Sequence, residues 1–206
     1  MIKLYGLRMS NYYSLTKALL IEKGLEFEEV KAPPTQKPDN VARTPMGKMP
    51  SIEVDGQYMS ESLAIAQYLE TLVPSPSLWP ADPFQAGKVM ELICHMKLNV
   101  ELVARRCLPE ALFGMTVSDE TKDSTRTDLA RGMQAVEQII VCDPFAAGDT
   151  FTLADFYAFY CFGPASGIAA KMFDQDLLEG HDKIKALMAK VAEHPSIARV
   201  EAEKAA

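Results

Sequence analysis

Three short clusters hold the groups on which chemistry can turn. Glu61-Ser62 stands directly before an apolar run of helical spacing. Both residues therefore fall at a helix start, where unpaired backbone N–H groups and the helix dipole attract a carboxylate. Gly47-Lys48 lies in a loop just ahead of a Met49–Pro50 bond. A proline entering a strand is tolerated at its first position or beside an unpaired edge, which leaves the backbone of Met49 to pair with something other than protein. A strand-like edge beside an anion pocket suits a short, acidic, extended peptide. The third cluster is Tyr5 with Ser10-Asn11-Tyr12-Tyr13, which gathers hydroxyls around the mouth of a first helix.

The elements that must position these groups are legible in the patterning. Residues 2–5 alternate as a strand does, and Gly6 breaks the run. A helix is predicted from about Tyr13 to Lys23, with Leu15, Ala18 and Leu19 on one face and Gly24 as its stop. Leu25 to Val30 reads as a second strand, and this β-α-β start favours a right-handed parallel crossover. Prolines 33, 34 and 38 make residues 32–45 mostly loop, with at most one short helix. Two short strands, Ser51 to Val54 and Gln57 to Met59, flank Asp55-Gly56, a strong hairpin signal. The helix that follows, opened by Ser60-Glu61-Ser62, buries Ile65, Ala66, Leu69 and Leu72.

Four prolines within residues 74–83 cannot extend a helix or a sheet. The expected organisation is an α+β two-domain chain: residues 1–75 as a βαβ-ββα unit, 76–83 as linker, and 84–206 as an all-α helical bundle. In the second part Val89, Leu92, Ile93, Met96, Val100 and Val103 keep a 3.6-residue period. Thr152 and Asp155 form a capping box ahead of the apolar run 156–162. Gly163-Pro164 and Gly167 interrupt that helical pattern.

With 206 residues, 48% hydrophobic and 24% charged, the composition is that of an ordinary globular chain. A net charge of −7 argues against nucleic acid as the main partner. No apolar run approaches the length of a membrane span, and the start MIKLYGL lacks a signal-peptide core. Cys94, Cys107, Cys142 and Cys161 have no CxxC spacing, sit in helix-like segments, and read as buried small hydrophobes of a reducing compartment. His95, His181 and His194 lack metal-ligand spacing, so no metal is expected. The expected location is the cytoplasm.

The whole order resembles the cytosolic glutathione S-transferase family, of bacterial type with a serine-type catalytic loop. The resemblance is carried by Pro45-Met-Gly-Lys-Met-Pro50, Asp55-Gly56, Glu61-Ser62-Leu-Ala-Ile65 and Thr152 to Asp155, in that order with the proline-rich linker between. It implies a thioredoxin-like first domain, a cis Pro50 and glutathione as co-substrate. Met49 would pair through its backbone with the cysteinyl part, Glu61 and Ser62 would hold the γ-glutamyl end, and Lys48 would approach the glycyl carboxylate. From charge alone Glu61 equally complements a helix N-terminus, Ser62 equally caps it, and Lys48 is equally a solvated loop charge.

The resemblance also implies a thiolate nucleophile, and a free thiol has a pKa near ~8.5. The activating donor belongs at the mouth of the first helix, where Ser10 ranks first and Tyr5 second, with Tyr12 and Tyr13 offering further hydroxyls. Ser10-Asn11-Tyr12 departs from the usual Ser-x-Pro, and Ser10 or Asn11 can also serve simply as a helix cap. Met9, Tyr12, Met96, Asn99, Val103 and Leu108 or Phe113 are candidates to line a pocket for a hydrophobic electrophile. A homodimer is implied, with each first domain packing on the partner's helical domain. The alternatives are a glutathione-dependent isomerase or peroxidase, and a glutathione-fold binding or regulatory protein without turnover.

Overall fold

Alternation at the start of the chain produces β1 (Ile2–Gly6), with Ile2 and Leu4 buried and Lys3 and Tyr5 on the other side. The computed structural model describes residues 1–205. In it, β1 is followed by α1 (Asn11–Glu22), β2 (Phe27–Lys31), α2 (Pro38–Arg43), β3 (Ser51–Val54), β4 (Gln57–Ser60) and α3 (Ser62–Leu72). The sheet order is β2-β1-β3-β4, with β1 and β2 parallel and the other neighbours antiparallel. Leu4 and Ile52 of the sheet, Leu15 and Leu19 of α1, and Ile65 and Leu69 of α3 are almost wholly buried. They form the core that fixes the two helix starts.

Local chemistry shifts some boundaries from those read in the sequence. Helix α1 begins at Asn11 rather than Tyr13, because the Ser10 side chain caps it by accepting from the Tyr13 N–H. The second strand begins at Phe27 rather than Leu25, because the Leu25 N–H still bonds back to the Leu20 carbonyl at 3.0 Å. A helix C-terminus satisfied in this way holds the chain until Glu26.

Two compact units emerge: Met1–Ser77 joined by the segment from Glu193 onward, and Leu78–Ala192. The last helix, α10 (Pro195–Ala205), packs on α1 within the first unit. The second unit holds α4 (Pro83–Cys94), which runs on through a π-wound stretch, His95–Glu101, into α5 (Leu102–Ala104). A 3₁₀ turn, Arg105–Cys107, and α6 (Leu108–Phe113) complete that run. Then come α7 (Asp119–Glu137), α8 (Leu153–Phe173) and α9 (Asp182–Ala192).

The π-wound stretch replaces the plain α-helix that the apolar period suggests. Met96 and Val100 are both fully buried, and their four-residue spacing suits either winding. Alpha-helix α7 approaches this stretch so closely that a Cβ at Gly132 would lie 2.1 Å from the Asn99 carbonyl oxygen. Gly163, Pro164 and Gly167 do not interrupt α8, which is continuous through all three. Burial of so many of its residues outweighs the local propensity penalty. The Thr152–Asp155 capping box is formed, and Asp155 also accepts from the Ala146 N–H at 2.8 Å. Of the four cysteines, Cys142 lies outside any helix, at φ +56, and all four are free thiols. Among the described residues no helix is long and apolar enough to cross a membrane, and no acidic, His or Cys group has metal-binding geometry.

Candidate functional site

Strand register brings the sequence candidates of the first unit to one end of the sheet. Tyr5 pairs with Ser51, and Ser51 pairs with Ser60. The segments that continue from this row are residues 6–10 after β1, Lys48-Met49-Pro50 before β3, and Glu61-Ser62 after β4. Three loops far apart in sequence therefore share one rim. Two of them lead into helix N-termini, α1 and α3, whose first N–H groups have no intrahelical partner.

Ser10 is half-buried at the mouth of α1. Its Oγ accepts from the Tyr13 N–H at 3.4 Å. Accepting uses a lone pair and leaves the hydroxyl proton to be donated outward. The backbone behind it is closed by a turn, with the Ser10 N–H on the Leu7 carbonyl at 3.0 Å. A sulfur placed before Ser10 meets a hydroxyl donor and the positive end of a helix dipole, and both favour a thiolate over a thiol.

Across the rim, the Met49–Pro50 bond is cis, as the resemblance implies, and Pro50 is buried. Met49 lies just ahead of the residues of β3 that pair with β1. Gly47 shapes the turn before it: φ is +63, and a Cβ there would lie 2.6 Å from the Thr35 carbonyl oxygen. Its own carbonyl receives the Thr35 N–H at 3.0 Å, so the loop leading to exposed Lys48 is tied down. Ser62 is buried as the first residue of α3, and exposed Glu61 precedes it at φ +69 and ψ +116. A non-glycine residue held there costs on the order of 1–3 kcal/mol, and such strain persists only where the surroundings over-determine it.

Of the remaining candidates, Tyr5 and Tyr12 stay beside the rim, and Asn99 and Met96 lie in the second unit. Tyr5 lies on the sheet face, its hydroxyl donating to Glu53, its ring edge-on to Tyr58 at 6.2 Å and under the Arg43 guanidinium at 5.0 Å. Burial, together with the Glu53 carboxylate, pushes its phenol up to about 12. Tyr12 is half-buried in the first turn of α1, and the Tyr13 hydroxyl is committed to Glu29 at 2.6 Å. Asn99 is exposed on the π-wound stretch of the second unit and pairs with His95 Nδ1 at 3.1 Å. Both border a cavity of about 370 Å³ with Asp128, Arg131 and Gly132. Met96, a candidate pocket residue, is fully buried and packs in the core.

Family models for the glutathione S-transferase N-terminal domain match residues 4–77, and models for its C-terminal domain match residues 111–204. A glutathione S-transferase of Pseudomonas putida is 37% identical over 206 residues, covering 100% of this chain and 94% of that one. The chain belongs to the glutathione S-transferase family. In fold it is similar to a glutathione transferase homologue from Sulfitobacter solved with bound glutathione, with a TM-score of 0.80 at 20% identity over 98% of both chains. A zeta-class maleyl pyruvate isomerase gives a TM-score of 0.77 at 25% identity, covering 96% of this chain and 95% of that one.

One cluster beside this rim escaped the sequence reading. Glu29 of β2 accepts from Arg8 Nη2 at 2.8 Å, Arg8 Nε at 3.2 Å, Lys17 Nζ at 2.7 Å and the Tyr13 hydroxyl at 2.6 Å. Burial alone would raise the Glu29 carboxyl, but hydrogen bonds from Arg8, Lys17 and Tyr13 outweigh it and hold it at about 2. Lys17 is itself buried and also donates to Glu203 of α10. The available signal was Lys17 itself, a lone cation within the apolar stretch of α1, since a buried ammonium requires a carboxylate partner.

Proposed function

We propose that the chain activates glutathione through Ser10 and transfers it to a hydrophobic electrophile. The Ser10 hydroxyl donates to the sulfur, and the N-terminal end of α1 adds its dipole. Lowering a thiol pKa by about two units requires ~2.7 kcal/mol, within the reach of one or two charge-assisted hydrogen bonds and a helix terminus. The Met49 backbone pairs with the cysteinyl part of the peptide, and Ser62 and the α3 N-terminus receive the γ-glutamyl carboxylate. Glu61 meets the ammonium, and Lys48 neutralises the glycyl carboxylate. The observation that carries this reading is the shared rim: one Tyr5–Ser51–Ser60 row continues into Ser10, Met49–Pro50 and Glu61-Ser62. Tyr5 is the weaker donor, because its proton already goes to Glu53. The protein acts in the cytoplasm as a homodimer.

Retention on immobilised glutathione, followed by conjugation of an activated aryl chloride, tests the function. Binding with turnover supports a transferase, and binding without turnover means a binding module. A Ser10→Ala variant should lose about 10²-fold or more in kcat, comparable to removal of one oxyanion donor, while keeping retention on the resin. Full turnover in that variant would sink the assignment of Ser10. Sizing that returns a stable monomer would refute the dimer.

A further inference from the structure

The two residues that bracket Ser10 are anchored on one carboxylate. Arg8, two positions before it, lays its guanidinium along Glu29 through Nε and Nη2 at 3.2 and 2.8 Å. Tyr13, three positions after it, donates its hydroxyl to the same group at 2.6 Å. Lys17, one turn further along α1, reaches the other Glu29 oxygen at 2.7 Å. Alpha-helix α10 closes the cluster. Its Glu203 carboxylate receives Lys17, its Glu203 backbone carbonyl receives Arg8 Nη1 at 3.2 Å, and Arg199 Nε pairs with the same Glu203 side chain at 2.9 Å. The Tyr13 ring packs over Gly6 of β1 in the space a side chain there would take, a Cβ at Gly6 falling 2.5 Å from its Cδ2. Ser14 Oγ donates to the Arg8 carbonyl at 3.2 Å, so the backbone of the loop is pinned as well.

We infer that Glu29 is a positioning residue for Ser10: through Arg8 and Tyr13 it fixes where the Ser10 hydroxyl and the first N–H groups of α1 stand, and the Glu203 end of α10 completes the hold. This rests on the reading of Ser10 as the thiolate donor. Only Lys17 of the charged groups in this cluster is buried, and ion pairs as open to solvent as Arg8–Glu29 contribute little to stability alone. What its directional bonds supply is geometry. A donor that must meet a sulfur within hydrogen-bond reach loses on the order of 10²-fold for a displacement of about 1 Å.

The test compares Glu29→Gln and Tyr13→Phe with the parent and with Ser10→Ala. The readouts are the thiol pKa of bound glutathione, followed by thiolate absorbance and by the pH profile of kcat/KM, and the KM for glutathione. Glu29→Gln should raise the bound thiol pKa by about one unit and lower kcat by about tenfold, with the KM for glutathione within about twofold. Tyr13→Phe, which removes one hydroxyl and keeps the ring, should move both in the same direction by about threefold in kcat; it decides the matter if Glu29→Gln does not fold. Parent-like thiol pKa values in both variants, whatever happens to their melting temperatures, overturn the role of Glu29 while loss of activity in Ser10→Ala leaves the Ser10 reading intact. Full activity in Ser10→Ala overturns that reading and this one with it.

Discussion

Replacing Asp155 with alanine is the sharpest test of what holds the helical unit together. Asp155 is fully buried and serves two strands of backbone at once. One oxygen accepts from the Ala146 N–H at 2.8 Å, and the other from the Thr152 N–H at 2.8 Å and the Thr152 hydroxyl at 3.2 Å. Truncation leaves two buried N–H donors without an acceptor, each costing about 1–3 kcal/mol. Against this, the carboxylate no longer has to be buried, and burial does raise its pKa above the ordinary value despite those hydrogen bonds. A net loss of about 3 kcal/mol remains, which corresponds to a fall of about 6–12 °C in Tm for a chain of this length. Asp155→Asn, which keeps one accepting oxygen but sets an amide against the other N–H, should lose about half as much or more. Far-ultraviolet circular dichroism during heating gives the Tm, and retention on glutathione resin reports the first unit separately. A variant melting within about 2 °C of the parent would refute the accounting.

Gly132→Ala should destabilise by about 1–3 kcal/mol or more, because its methyl group meets the Asn99 carbonyl carbon at 2.8 Å and the oxygen at 2.1 Å; a parent-like Tm would mean that α7 and the π-wound stretch separate without cost. Glu29 is held at about 2 against an ordinary 4.5, so its contribution is full above pH 4.5 and is lost as the pH falls toward 2. Acid unfolding of Glu29→Gln should accordingly lose about 2 kcal/mol of pH dependence across that window, and identical acid limbs would contradict it. Glu61→Gly relieves the positive φ and should raise stability by about 1 kcal/mol while weakening retention on glutathione resin. A variant that loses stability would show that Glu61 is not strained.

Where local chemistry and tertiary packing agree, the sequence was readable. Asp55-Gly56 between two short apolar runs announced the hairpin, and Thr152 with Asp155 announced the start of α8. The rim depends on the sheet order and register, which join three loops distant in sequence. Packing between distant segments was not readable. Ile93, Met96, Val100 and Val103 are spaced by three, four and three residues, which fits either an α or a π winding. The close approach of Gly132 that accompanies the π winding lies more than thirty residues away. Pro164 signals a break, but burial of α8 on most sides overrides it. Glu29, in a mixed strand of half-buried residues, carries no mark of its four donors until Arg8, Tyr13, Lys17 and α10 are assembled around it.

The return of α10 to the first unit has a consequence for how the protein is made. Translation delivers residues 78–192 between the two parts of that unit, so α1 and β2 leave the ribosome long before Glu203 does. Until then Lys17 has only Glu29 to answer it, and the α1 side that α10 will cover stays wet. The usual order, in which the N-terminal domain folds first during synthesis, is thereby reversed in its final step. The helical unit can complete itself while the first unit waits for α10 to cover α1.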